Sequence, residues 1–364
     1  MGFRCGIVGL PNVGKSTIFN ALTSASADVA AYPFTTVEPN VGIAGVPDRR
    51  LDTLATICSP EKTTPAAIEF VDIAGLIKGA SKGEGLGNQF LSHIRAVDAI
   101  VHVVRCFEDQ NVAHVSAALD PGDDISTIET ELMLSDIEIL EKKIQKDSKA
   151  VKGQDEEAAA RLRVSEKALE ILNRGQTLRV GLEDPEDLAI VRSFDLITQK
   201  PMLLLANIDE AALSEGNPHA GVIQEAAKAK GIGYLEICGK LEAEIAELPP
   251  EERKDYLTEM GMEASGLEKL AKAGYELLDL ITFLTVVGTE IRAWAVRTGT
   301  AAKKAAGKIH TDMERGFIKA EVIEFEELKK LGSLSTAREK GQIRLEGKDY
   351  IVKDGDVITF RFNI

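Results

Sequence analysis

Nine residues near the start, Gly9-Leu10-Pro11-Asn12-Val13-Gly14-Lys15-Ser16-Thr17, constrain this chain more than any other feature. They satisfy G-x-x-x-x-G-K-[ST] in full, and the flanking sequence is what such a loop requires. Residues 3–8 read as a short apolar strand and residues 17–24 as the start of a helix. A strand, a glycine-bearing loop and a helix N-terminus together make an anion cradle, because backbone N–H groups and the positive end of the helix dipole face the ligand. Lys15 is placed to reach the β- and γ-phosphates, and the Ser16 hydroxyl to ligate Mg2+. The segment Asn12, Val13, Gly14, Lys15, Ser16, Thr17 is therefore assigned to a nucleoside triphosphate.

Further apolar runs recur at 67–71, 99–106, 202–206 and 234–237, several of them separated by helix-like segments. Near-continuous apolar strands alternating with helices imply a mostly parallel sheet covered on both faces. Between 107 and 200 no strand pattern occurs. There, residues 126–151 and 156–174 show helical periodicity with dense charge, and Gly153 falls at the turn between two antiparallel, coiled-coil-like helices. From 279 onward, short alternating runs at 282–287, 317–322, 342–345, 349–352 and 357–362 suggest a small α+β domain. The expected organisation is an α/β nucleotide-binding unit (1–128 and 201–278), a helical insertion (129–200) and a C-terminal domain (279–364). A length of 364 residues suits two or three domains.

Three further segments belong with the phosphate loop. Asp72-Ile73-Ala74-Gly75 is a D-x-x-G at a strand end, where a carboxylate approaches Mg2+ and the Gly75 N–H can sense the γ-phosphate. Tyr32-Pro33-Phe34-Thr35-Thr36 supplies a threonine that could complete the metal shell. Thr36 is assigned, with Thr35 its competitor. Gly75, Gly79, Gly83, Gly85 and Gly87 crowd one stretch, as in a loop that changes conformation with the nucleotide. Leu76 stands where many small GTPases carry a glutamine that orients water. Leucine cannot do so, and unassisted hydrolysis is expected to be slow. A partner, another loop or a K+ ion near Asn12 could supply the missing group. His93, His102 and His114 are weaker substitutes.

Base choice falls on Asn207-Ile208-Asp209-Glu210, after the strand at 202–206. A guanine site would read N-K-x-D, the aspartate accepting from N1–H and the 2-amino group. Ile208 replaces that lysine and Glu210 that aspartate, so ATP is favoured over GTP. Asn207 could meet the adenine amino group, and the Ile208 side chain or backbone could line the base. Cys238-Gly239-Lys240 could contact the base through its backbone.

Together these segments resemble the Obg-like ATPases of the YchF type, within the translation-factor class of P-loop proteins, along essentially the whole chain. The resemblance implies a G domain, a helical domain and a C-terminal TGS domain. It implies ATP preference with slow basal turnover linked to Leu76, and association with ribosomes or RNA. It places nucleotide contacts on Asn12 to Thr17, Mg2+ on Ser16 and Thr36, and a base contact at Ile208.

Composition bears on partners. A net charge of −15 argues against whole-surface nucleic-acid binding. Locally, Lys142, Lys146, Lys149 and Lys152 recur at helical spacing, and 292–319 holds seven Lys/Arg against Asp312 and Glu314. RNA contact is expected there, with no DNA and no membrane partner; no residue pattern sets the oligomeric state. Cys5, Cys58, Cys106 and Cys238 are too scattered for a zinc site or a disulfide framework, and the N-terminus enters the first strand at once. A cytoplasmic protein is expected. The functional expectation is an Mg2+-dependent ATPase switch on the translation machinery. The alternatives are a GTPase of the same fold and a nucleotide-gated RNA- or ribosome-binding module whose hydrolysis is incidental.

Overall fold

The computed structural model describes residues 2–26, 40–73, 75, 86–109, 119–151 and 155–363. Its strands are β1 (Arg4–Val8), β2 (Val41–Gly45), β3 (Lys62–Thr64), β4 (Ala67–Asp72), β5 (Ala99–Arg105), β6 (Met202–Asn207), β7 (Gly233–Ile237), β8 (Leu280–Val287), β9 (Glu290–Arg297), β10 (Phe317–Glu324), β11 (Arg344–Glu346) and β12 (Asp356–Phe362).

The first sheet has the order β2-β4-β1-β5-β6-β7 and is parallel except for the β2–β4 pair. Every residue of β5 and β6 is buried, as expected of central strands covered by helices on both faces. The chain passes from β1 to β4 on one side and later to β5 on the other. Strand order therefore reverses at the C-terminal end of β1, where a crevice for ligand opens in such sheets. The helix Lys15–Ser26 starts at that end.

The helix Pro121–Val151 runs for 31 residues, on the order of 45 Å. Ile125, Ile128 and Leu132 anchor its first turns in the main core. Farther out, Leu140 packs with Val164, Ala168 and Leu172 of the helix Glu156–Asn173 and with Leu178, Val191 and Phe194 in a separate core. Asp136 holds the junction. Its fully buried carboxylate accepts from the Ile197 and Thr198 N–H groups at 3.0 and 2.7 Å and from Arg95 at 3.3 Å. Burial raises the Asp136 pKa, opposed by these donors. The inter-helix turn expected at Gly153 lies outside the described residues.

The second sheet has the order β11-β10-β12-β8-β9-β3. One face packs Phe283, Val296 and Phe360 on Ala302, Ala305 and Ala306 of the helix Ala302–Ile309. The other contributes Leu284, Ile291 and Ala293 to the main core. Its edge strand β3 comes from the nucleotide-binding segment and pairs in parallel with β9. Nearby, Arg50 bridges Asp48 and Asp354, and Asp354 accepts from the Thr282 N–H at 2.8 Å. Two expectations need correction. At 349–352 there is no strand, only an isolated bridge from Ile351 to Ala301. Part of the 292–319 segment is β9, where Arg292 and Trp294 alternate with buried Ile291, Ala293 and Ala295.

Asp136→Ala removes a buried acceptor from two N–H groups and an arginine, so unfolding free energy should fall by about 3 kcal/mol. Urea denaturation followed by circular dichroism measures this.

Candidate nucleotide site

The loop between β1 and the first helix is shaped by two residues with positive φ, Asn12 at 63° and Gly14 at 91°. Gly9 is equally constrained by space, since a Cβ there would lie 2.5 Å from the Val103 carbonyl oxygen. The helix starts at Lys15, with the Ile18 N–H donating to the Gly14 carbonyl. Lys15 is only 7% exposed, and its Nζ donates to the Leu10 carbonyl at 2.9 Å. Burial lowers the Lys15 pKa, while the Asp72 carboxylate opposes the shift.

Asp72 ends β4 beside this lysine. Burial raises its pKa, against the pull of Lys15 and a hydrogen bond with the Ser16 hydroxyl. Asp72 Oδ1 is buried and has no hydrogen-bond partner among the described residues. An unpartnered carboxylate oxygen next to a solvent-exposed Ser16 fits a hydrated divalent cation better than it fits a closed core. Gly75 completes the group, since a Cβ there would come within 3.2 Å of Lys15 Nζ and 3.5 Å of the Pro11 nitrogen. Lys15, Ser16, Asp72 and Gly75 thus converge. Thr36, its competitor Thr35, Leu76 and the glycines 79, 83 and 85 lie outside the described residues, as does His114.

At the base end the geometry adds a role to the sequence reading. The Asn207 amide is turned inward, its Nδ2 donating to the Val13 carbonyl at 2.9 Å and its Oδ1 accepting from the Gly239 N–H at 3.0 Å. It is thus a brace between the phosphate loop and the helix Gly239–Glu247, and these two bonds use one of the two Nδ2 hydrogens. The Ile208 side chain is buried in the core and its N–H donates to the Ile237 carbonyl. Glu210 is exposed, and so are Asn12 and Thr17 at the loop. Val13 is buried and anchors the loop.

One residue that sequence reading passed over belongs to this end. The half-buried Phe107, just past β5, has its ring edge 3.9 Å from where a Gly14 Cβ would stand. It was hidden because an aromatic after a strand has no motif of its own. His102, by contrast, is fully buried in β5. Burial, with Lys230, Arg179 and Lys15 nearby, drives its pKa down to about 3, which leaves it neutral and closed to water. His93 is exposed on the helix Leu86–Arg95.

The basic stretch 292–319 does not form one open face. Lys308 lies 4.5 Å over the Phe3 ring and Arg297 pairs with Asp98, both at the seam between the sheets. Lys304 pairs with Glu314, and Arg292 lies 4.1 Å over Trp294. Lys303 and Arg315 are exposed, as are Lys142, Lys146 and Lys149 on the long helix; Lys152 is outside the described residues.

Gly14 allows a controlled test. A Cβ at Gly14 would collide with Asn207 Nδ2, whereas Gly216, also at positive φ (78°), has open space. Alanine at either position should cost about 1–2 kcal/mol of backbone strain. Only Gly14→Ala should also abolish triphosphate binding, as read by calorimetric titration.

Residues 4–168 match a protein family described as "50S ribosome-binding GTPase". Residues 280–363 match the family YchF-GTPase_C, described as a protein of unknown function. The "Ribosome-binding ATPase YchF" of Haemophilus influenzae is 52% identical over 365 residues, and that of Bacillus subtilis 50% identical over 366, each match covering 100% of both chains. The solved structure of the Schizosaccharomyces pombe YchF GTPase aligns with a TM-score of 0.88 at 35% identity, over 99% of this chain and 98% of that one. A phosphate loop braced by its own base strand, the two-sheet fold and full-length similarity at this level agree: the chain belongs to the YchF family.

Proposed function

We propose that the protein is an Mg2+-dependent ATPase that acts as a slow, ribosome-associated switch. The observation that carries the choice of ATP is the state of Asn207-Ile208-Asp209-Glu210. No lysine crosses the base, because buried Ile208 stands at that position, and exposed Glu210 replaces the aspartate. A guanine reader built on the usual pattern would leave the N1–H and 2-amino donors poorly matched here. The names of the bacterial relatives support ATP and the ribosome as partners. The family described for residues 4–168 supports a GTPase as the second reading, and the exposed Glu210 carboxylate is the feature that would serve it.

In this reading Asn12 to Thr17 wrap the phosphates with backbone N–H groups. Lys15 exchanges the neutral Leu10 carbonyl for β- and γ-phosphate oxygens, which restores its charge preference. Gly75, against Lys15, offers its N–H to the γ-phosphate, so the D-x-x-G turn reads whether that group is present. Ser16, Thr36 and Asp72 would hold Mg2+, which when bound neutralises charge on the phosphate oxygens. The Ile208 backbone carbonyl and the Phe107 ring bound the base. Leu76 supplies no group to orient water, so turnover waits on a partner or on K+ at Asn12. RNA contact falls to the exposed Lys142, Lys146 and Lys149 on the long helix and to Lys303 and Arg315, while Lys308 and Arg297 serve the seam.

Steady-state ATP hydrolysis should rise about tenfold or more when ribosomes are added. An unchanged rate at saturating ribosomes would rule out the ribosome as the missing activator.

A further inference from the structure

Arg105 is the last residue of β5 and lies in register with Asn207 of β6. It is 4% exposed, and neither the phosphate-loop motif nor the base motif includes it. Its guanidinium turns toward the next few residues of its own chain. Nε donates to the Phe107 carbonyl at 3.1 Å, Nη2 donates to the Asp109 carbonyl at 3.3 Å, and Cζ sits 4.5 Å from the centre of the Phe107 ring. One side chain thereby holds both the backbone of the turn and the face of its aromatic ring.

The turn has two further ties. The Cys106 N–H donates to the Asn207 carbonyl at 2.9 Å, and Asn217 Nδ2 donates to the Cys106 carbonyl at 2.7 Å. These fix where the turn begins but leave the ring direction open. Arg105 sets that direction: the ring, covered on one face, brings its edge to Gly14 and the end of the phosphate loop. A planar fork that bonds two carbonyls while stacking on a ring is something lysine cannot reproduce. A cation against one face of a phenyl ring also draws π-density from it, which favours contact of the remaining surface with an electron-rich purine.

We propose that Arg105 is a positioning residue for the purine: it holds the Phe107 ring as a wall of the base site and so contributes to nucleotide affinity through the base, not through the phosphates. The inference rests on the reading that the base lies at the Asn207–Phe107 end.

The test is calorimetric binding of ATP and of inorganic triphosphate, both with Mg2+, to the full chain and to Arg105→Met, Phe107→Ala and the double variant. Arg105→Met should weaken ATP about tenfold and leave triphosphate within about twofold. Phe107→Ala should do the same, and the double variant should be no weaker than the weaker single one, because the two changes remove one interaction. Arg105→Lys, which keeps the cation and loses the fork, should weaken ATP about threefold and replaces Arg105→Met if the latter does not fold. The inference is overturned if Arg105→Met leaves ATP affinity unchanged, weakens ATP and triphosphate alike, or adds fully to Phe107→Ala. Equal wild-type affinity for ATP and triphosphate would overturn the base-end reading itself, and is distinguishable from those results because it appears without any substitution.

Discussion

The side-chain amide of Asn207 joins segments that lie far apart in the chain. It reaches the phosphate loop at Val13, 194 residues away, and the start of the helix Gly239–Glu247. Both contacts are buried, so neither the Val13 carbonyl nor the Gly239 N–H has water as an alternative partner, and loss of the amide would leave both unpaired. The phosphate loop is thus held by the residue that ends β6. Gly14 has to be glycine for the same reason, because Asn207 occupies the space of its side chain. The phosphate loop, the end of β6 and the start of the helix Gly239–Glu247 are thus one braced object.

The rest of the chain is tied to that object at two places. Asp136 fixes the long helix to the connection leading into β6, so the helical arm is anchored next to the strand that carries Asn207. On the other side, β4 brings Asp72 to Lys15, pairs with β2, and follows directly after β3, the edge strand of the second sheet. Only Pro65 and Ala66 separate β3 from β4. A shift at Asp72 or Gly75 therefore has a short covalent and hydrogen-bonded route to β9, reinforced by Arg50 between Asp48 and Asp354. The helical arm thus joins the first sheet at the connection into β6, and the second sheet joins it through β3 and β4.

Much of this was legible in the sequence where one physical rule acts alone. Short apolar runs such as 202–206, alternating with helix-like segments, read as buried strands, and the phosphate-loop pattern calls for a strand before it and a helix after it. Lys15, Ser16 and Asp72 converge because each sits at the end of an element whose direction the parallel sheet dictates, and Gly75 follows three residues after Asp72. Reading failed where a second role competes with the first. β9 passed as a basic surface because Arg292 and Trp294 occupy its alternate positions, while the opposite face is apolar. Lys308 and Arg297 counted as open charge, yet they cover Phe3 and Asp98 across a seam that no local pattern reveals. The bracing role of Asn207 went unseen because its partners, Val13 and Gly239, are remote in sequence. Phe107 went unseen because its significance comes entirely from Gly14, 93 positions earlier.

We propose that this base end selects adenine, with buried Ile208 where a guanine site carries lysine and Glu210 in place of its aspartate. Competitive equilibrium titration of ATP and GTP on the purified chain with Mg2+ addresses it most directly. ATP should bind about tenfold or more tightly than GTP. Equal affinities, or tighter GTP, would contradict it and return the exposed Glu210 to the role of a guanine reader.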